Sequence, residues 1–326
     1  MTDRTGRDIG VGGVAGFRRI LVVGAGALFW GWLLVRWLHD WFLAPEVNTS
    51  DREPFVPPEP FEAGAEGLER LAASGPLGAG VLEWWAGGLE FLAFGARAMP
   101  ALATGAWLTV VLTVASILLG LVIAIPLAVA RTYGGAPLRW IALTYTEFIR
   151  GTPLLAQLFV LYYGLNASLV VDAFPGVGRG QLVSNTAAVV AIIGFTINSS
   201  AYQAEYIRSA LQSVDPGQLT AARSVGLSRL EGIRHVVLPQ GLRYAIPGWT
   251  NELVYLVKYS SLAAFITVPE LFRRARNIAS DTFRVLDIYL WAAILYLALV
   301  LSLSVAMSRF EDRVSLPGVG GPGERD

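Results

Sequence analysis

Residues 104–130 form a run of 27 without a single charge. A helix needs about 20 apolar residues to cross the hydrocarbon core of a bilayer, and inside lipid its backbone must satisfy its own hydrogen bonds. A run of this length commits the chain to an all-α membrane protein. Five further segments are apolar enough to join it, giving six expected spans at 20–43, 104–130, 140–165, 182–205, 245–268 and 287–309. The charged fraction agrees: it is 15 %, against about a quarter in soluble domains. Net charge is zero, so bulk attraction to nucleic acid has no basis. There is no cysteine, which removes disulfides, thiolate metal sites and cysteine nucleophiles together. His39 and His235 are too far apart in sequence to suggest a ligand pair, and no metal or cofactor is expected.

The spans divide the chain. Residues 1–19 are a polar tail ending in Arg18 and Arg19. The first span, 20–43, is anchored by Trp37 and Trp41, and no small-residue cleavage site follows it, so it reads as a membrane helix rather than a signal peptide. The Pro/Glu/Gly-rich stretch 44–80 reads as a solvent-exposed linker. Glu83, Glu90 and Arg97 follow at intervals of seven, one narrow stripe on a helix that either lies in the membrane interface or packs against its own neighbours. Residues 101–312 then form the main membrane domain and 313–326 a second tail. If the spans alternate, Arg18, Arg19, Arg131, Arg139, Arg309 and Arg313 fall on one side, which the positive-inside rule makes cytoplasmic along with both termini. Arg273, Arg274, Arg276 and Arg284 fall on the other side and run against that assignment.

Between the fourth and fifth spans the apolar pattern gives way to a basic interlude, 207–243, with Arg208, Arg223, Arg229, Arg234 and Arg243 on the cytoplasmic side. Its helix signals are dense. Asp215 is a good N-cap, Pro216 suits the first helical position, and Gln218 completes a capping-box spacing. Gly226 is a natural stop. Ser228 and Glu231 repeat the box, and the second helix is expected to run to Pro239. Two short capped helices form a rigid projection from the membrane that can meet something soluble, more structure than a connector requires; a basic anchor lying on anionic lipid is the alternative.

Here the sequence resembles a known family. "TAARSVG" with Ile233 and "LP" at 238–239 resembles the "EAA---G---------I-LP" signature of permease subunits of prokaryotic ATP-binding-cassette importers. "TEFIRGTPLLAQLFVLYYGL", "EYIRSALQSVDPGQ", "LPQGLRYAIPGWTNE" and "LVKYSSLAAFI" resemble its polar amino-acid branch, in order, across roughly 100–312. The resemblance implies a five-helix permease core, here with one extra N-terminal transmembrane helix, forming half of an amino-acid pathway. It implies a second permease subunit (a homodimer or a related chain), an ATP-binding-cassette ATPase subunit and an extracytoplasmic solute-binding protein, all in the cell membrane among its lipids. It makes the interlude the coupling loop, with Thr220, Ala221, Ala222, Arg223, Gly226, Ile233 and Pro239 as its coupling residues. Thr220 stands where the motif has glutamate, so one charge for pairing with the ATPase is missing. Tyr259-Ser260-Ser261 replaces the usual Asp-Thr-Ser after the lysine. The motifs all follow residue 100, which makes 1–98 dispensable for transport on this reading.

The chain cannot hydrolyse ATP by itself. A P-loop needs G-x-x-x-x-G-K-[ST], and the single lysine, Lys258, follows Tyr255-Leu256-Val257. Energy must come from a partner, and the chain is not an enzyme. A secondary, ion-coupled amino-acid transporter is the alternative; it would show inverted repeats with matching broken helices, and no internal repeat is visible. Charges inside spans are costly and face a cavity or a partner. Arg150 precedes Gly151-Thr152-Pro153, where proline frees backbone carbonyls. Asn251 and Lys258 share a helix face. Arg150, Thr152, Asn251, Lys258 and Ser261 are therefore the candidate substrate-path residues, with a structural ion pair as the competing role for each charge.

Overall fold

Proline and glycine decide where these helices end. The computed structural model describes residues 9–43, 52–75, 78–164 and 186–314. Most of the two tails, the first part of the linker, and the loop holding Pro175, Gly176 and Gly178 lie outside them. Every regular element among the described residues is helical: α1 (Ile9–Phe42), α2 (Glu59–Ser74), α3 (Ala79–Tyr133), α4 (Ala136–Arg150), α5 (Leu154–Gly164), α6 (Thr186–Ser213), α7 (Pro216–Ser224), α8 (Arg229–Gly232), α9 (Leu238–Tyr259), α10 (Leu271–Thr282) and α11 (Val285–Val314). Three of these, α3, α6 and α11, are long and apolar enough to cross a membrane.

Several elements differ from the sequence expectation. The linker contains a helix, α2, with Pro58 before it and Glu59 and Glu62 in its first turn, where carboxylates complement the helix dipole. The stripe of Glu83, Glu90 and Arg97 is not on a separate interfacial helix but on the first part of α3. At ~1.5 Å per residue that helix is roughly 80 Å long, well beyond the ~30 Å hydrocarbon core. The expected span 140–165 is two helices, because Gly151 and Pro153 interrupt it. The span at 245–268 starts earlier, at Leu238, and its last turn tightens into a 3₁₀ segment, Ser260–Ile266, ending at Thr267 with φ +69°. The start of the span expected at 182 lies outside the described residues; α6 runs on to Ser213.

The described chain forms two compact units: residues 1–104 with 275–305, and 105–274 with 306–326. The membrane domain expected at 101–312 contributes residues to both units. In the first unit, Trp291 stacks on Phe91 with ring centroids 5.0 Å apart and planes 12° from parallel, and its indole N–H donates to the Phe91 carbonyl at 3.1 Å. Gly95 is obligatory beside it, since a Cβ there would stand 2.0 Å from the indole. Trp30 donates to the Ser302 hydroxyl at 2.8 Å and Trp37 to the Ala103 carbonyl at 2.8 Å. Asp40, buried, pairs with Arg36 at 3.1 Å and Arg52 at 3.0 Å. Residues 275–305 thus depend for packing on the N-terminal segment that motif position alone made dispensable. The second unit is built on α6, which packs against α4, α5 and α9. Alanines dominate its buried seam with α3 and α9 (Ala124, Ala128, Ala204, Ala210, Ala245), with Ile207 and Leu211 between them, the small-residue packing that lets membrane helices approach closely.

Two of the arginines expected on the outer side, Arg273 and Arg284, have local work. Arg273 donates to the Ala264 carbonyl at 3.1 Å. Arg284 pairs with Asp287 at 2.6 Å and lies 4.5 Å over the Phe94 ring. The Arg273 and Arg284 side chains are thus engaged locally, one at a carbonyl of the preceding 3₁₀ segment and one in an ion pair.

Candidate functional site

The first half of the site is the loop α7–α8. Asp215 accepts the Gly217 N–H at 2.7 Å, which caps α7. Gln218 takes no part in a box: its side-chain oxygen meets Gln240 Nε2 at 3.4 Å and its N–H donates to the Asp215 carbonyl, so Asp215 is a simple N-cap and the expected box does not form. The helix stops as a Schellman turn. Gly226 has φ +95°, its N–H donates to Arg223 O at 3.1 Å, and Leu227 N–H donates to Ala222 O at 3.2 Å. The second box forms in full: Glu231 N–H donates to Ser228 Oγ at 3.3 Å and Ser228 N–H to the Glu231 carboxylate at 2.8 Å. Hydrogen bonds from the Ser228 side chain and from the Ser228 N–H hold the Glu231 carboxyl below its ordinary range. Gly232 packs against Leu219 and Ala222 so closely that a Cβ would approach Leu219 to 2.8 Å.

The second helix does not stop at Pro239. A π turn, Ile233–Val237, follows α8, with the Leu238 N–H reaching back five residues to Ile233 O. The wider turn carries the helix past the missing proline N–H and straight into α9. The loop is thereby a rigid extension of α9. Its motif residues sort into two sets. Ala222 and Ile233 are buried within the loop, whereas Thr220, Ala221, Arg223, Gly226 and Pro239 are exposed, beside the exposed Val225 and Leu230.

The second half is a cavity of about 710 Å³ at the α4–α5 break, walled by α6 and α9. The break leaves carbonyls without helical partners, and one side chain collects them. Gln157 Nε2 donates to Ile149 O at 2.8 Å, Thr152 O at 3.2 Å and Thr152 Oγ1 at 2.7 Å, while its oxygen accepts from Asn198 at 3.1 Å. Arg150, Thr152, Asn198, Tyr202, Tyr206, Glu252, Tyr255 and Tyr259 line the space. Glu252 is 5 % exposed. It shares a hydrogen bond with Ser199 and pairs with no cation among the described residues. At the other end Arg150 lies 5.4 Å over the Tyr202 ring and 3.6 Å from Glu147 and 3.9 Å from Glu205. Glu205 is held more closely by Arg131 at 2.7 Å and by Arg208. Three arginines thus face two carboxylates, and the Arg150 Nε has no hydrogen-bond partner among the described residues. The cavity has a guanidinium group at one end and a buried carboxyl at the other.

Of the residues singled out by sequence, Arg150 and Thr152 line the cavity; Asn251, Lys258 and Ser261 do not. Lys258 is exposed, its Nζ 4.7 Å over the ring of Tyr255. The partner for that charge is an aromatic face one turn back on its own helix, and the other side of the pair, Tyr255, faces the cavity. Ser261 donates to Lys258 O at 2.9 Å. Glu252, Tyr202, Tyr206, Tyr255 and Tyr259 were missed. Their spacing was available: 198, 202 and 206 recur every four residues, and 252, 255 and 259 share a face.

A membrane bundle of apolar helices with a polar cavity at a broken helix, joined to a capped loop outside the span, defines a helical membrane permease. The chain belongs to the family of binding-protein-dependent transport system inner membrane components, whose profile it matches over residues 116–316. The helices α1 and α2 and the first part of α3 precede that match. Similar proteins include the probable amino-acid ABC transporter permease protein YckA of Bacillus subtilis, 40 % identical over 203 residues that cover 62 % of this chain and 84 % of that one. The glutamine transport system permease protein GlnP of Escherichia coli K12 is 38 % identical over 222 residues, 67 % of this chain and 95 % of that one. Among solved structures, an amino acid ABC transporter with histidines aligns at TM-score 0.58 and 33 % identity, covering 68 % of this chain and 98 % of that one. The methionine ABC transporter MetNI, inward-facing, aligns at TM-score 0.56 and 20 % identity over 66 % of this chain and 97 % of that one, a likeness of fold.

Proposed function

We propose that this chain is the permease subunit of an ATP-driven amino-acid importer. It forms half of the membrane pathway and couples through α7–α8 to a separate ATP-binding-cassette ATPase. A second permease, identical or related, supplies the other half, and an extracytoplasmic solute-binding protein delivers the substrate. Both termini and the coupling loop lie on the cytoplasmic side of the cell membrane, with the linker around α2 outside. The observation that carries this reading is the loop itself: both of its helices are capped at their N-termini, the first is closed by a Schellman turn, and the second is fused to α9, so force applied to the loop reaches the helix that carries Glu252. The exposed Thr220, Ala221, Arg223, Gly226 and Pro239 are the docking face, and Ala222 and Ile233 set its shape.

The two-ended cavity suits a zwitterion, its carboxylate toward Arg150 and Thr152 and its ammonium toward Glu252. Lys258, Asn251 and Ser261, outside the cavity lining, serve the substrate on its way in or out. The relatives' names support an amino acid as the cargo. The test is reconstitution of the complete complex in vesicles. Uptake should require ATP and the ATPase subunit, and Glu252→Gln and Arg150→Gln should each lower substrate-stimulated ATP hydrolysis without lowering assembly. Uptake driven by an ion gradient with no ATPase present would refute the proposal.

A further inference from the structure

A second space in the same unit has the opposite character. It is a groove of about 300 Å³ between α6, the first turns of α9 and the last turns of α11, walled by Leu121, Ile207, Leu242, Ile246, Phe310 and Val314. Its one buried amide is fully engaged. Gln203 Nε2 donates to Ile117 O at 3.1 Å and Ser199 Oγ at 2.9 Å, and its oxygen accepts the Trp249 indole N–H at 2.7 Å. A polar solute would find nothing there to bind. The rim differs. Arg243 also lines the groove, is exposed, and makes no ion pair or hydrogen bond among the described residues. Arg309 and Arg313 alternate with Phe310 and Val314 along the end of α11 and are likewise in no ion pair. The rim stands at the coupling-loop end of the helices, since Arg243 lies four residues past Pro239.

We propose that this groove is a binding site for an anionic phospholipid of the leaflet on the coupling-loop side, with one acyl chain in the slot and the phosphate on Arg243. A guanidinium presents paired donors in the geometry that phosphate oxygens accept, and basic pockets between membrane helices are where acidic headgroups collect. The dry walls exclude the transported solute, and the unpaired basic rim favours a net anionic headgroup over a zwitterionic one, whose quaternary ammonium it repels. Tyr206 lines both this groove and the cavity with Glu252, so the bound chain backs the cavity wall.

The test uses the assembled complex in nanodiscs of mixed phosphatidylglycerol and phosphatidylcholine, stripped stepwise with detergent and weighed by native mass spectrometry. Wild type should keep phosphatidylglycerol after phosphatidylcholine is gone. Arg243→Gln should lower that retention about tenfold, as loss of a charge-assisted contact predicts. Ile246→Trp, which fills the slot with Arg243 in place, should also remove it; should that variant fail to assemble, Val314→Trp fills the slot from α11 and is read the same way. Equal retention of the two lipids, retention of neither, or phosphatidylglycerol retention unchanged in both variants overturns the proposal. So does a cross-link from Ile246→Cys, unique in a chain without cysteine, to a second permease, which would show that protein covers the groove.

Discussion

Replacing Gly226 tests whether the shape of the coupling loop matters apart from its chemistry. At φ +95° the residue sits where an L side chain is strained, and no atom lies within 4 Å of the position a Cβ would take. Alanine therefore meets no clash, and its cost is the backbone penalty alone, about 1–2 kcal/mol. If the turn relaxes to relieve that strain, the bonds to Arg223 O and Ala222 O break and α7 loses its stop. The population ready to dock then falls by a factor of about 5–30. Asparagine tolerates the left-handed region and should fall between glycine and alanine. Proline fixes φ near −65° and removes the N–H that bonds Arg223, so it should be worst. The assay is titration of the purified ATPase subunit onto the permease in nanodiscs, with uptake per ATP hydrolysed measured on the same preparations. Membrane insertion and the melting temperature should not follow the series. An alanine variant that docks like wild type, or an asparagine variant as weak as alanine, would sink the reasoning.

Three further outcomes are expected. Because the folded-state acidity of Glu231 is increased, its stabilising contribution is present above the ordinary carboxylate value of ~4.3 and is lost as pH falls through the lower folded value. Hydrogen exchange at the Ser228 amide, corrected for intrinsic rate, should be level from about pH 5 to 8 and lose protection only in stronger acid; Glu231→Gln, which still accepts the bond, should abolish that acid step. Glu205→Ala removes the acceptor shared by Arg131, Arg150 and Arg208 and should destabilise the purified permease by about 1.5–3 kcal/mol, seen as a lower melting temperature and restored in part by Arg208→Ala. Gly95→Ala drives a methyl into the Trp291 indole and should cost roughly 1–3 kcal/mol. Deletion of residues 1–98 should do more harm, through loss of the Phe91 and Trp30 contacts, and normal assembly of that truncation would show that residues 275–305 pack without them.

What could be read from the sequence was whatever depended on local signals. Capping residues act within one turn, so Asp215, Gly226, Ser228 and Glu231 announced the loop and its stop before any tertiary contact was considered. Its missed end at Pro239 has the same origin: proline forbids one particular α-helical bond, and the sequence does not say that a π turn will route around it. Cavity walls are another matter. Glu252 carries no local signal of this kind: its burial depends on α6, and its partner Ser199 comes from there. Lys258 drew notice as the only lysine, yet a long side chain at the edge of a helix can reach an aromatic face one turn away, and here it does.

The same distinction explains the N-terminal segment. Motif position separated residues 1–98 from the permease because motifs record the surfaces that meet partners and cargo, and packing residues leave no such trace. Trp291 lies inside the family match, while Gly95 and Phe91, which hold it, lie before residue 116 where that match begins. A tryptophan that depends on a glycine almost two hundred positions earlier is a tertiary fact with no local signal, since neither residue is unusual in its own helix. The extension therefore packs as one unit with residues 275–305 although it is separate from them in sequence pattern, and its Arg36–Asp40–Arg52 cluster fits that role. A charged network enclosed this fully is costly to break by removing any one member, so Asp40 fixes α1 to the segment at 52–55 as firmly as Trp291 fixes α11 to α3.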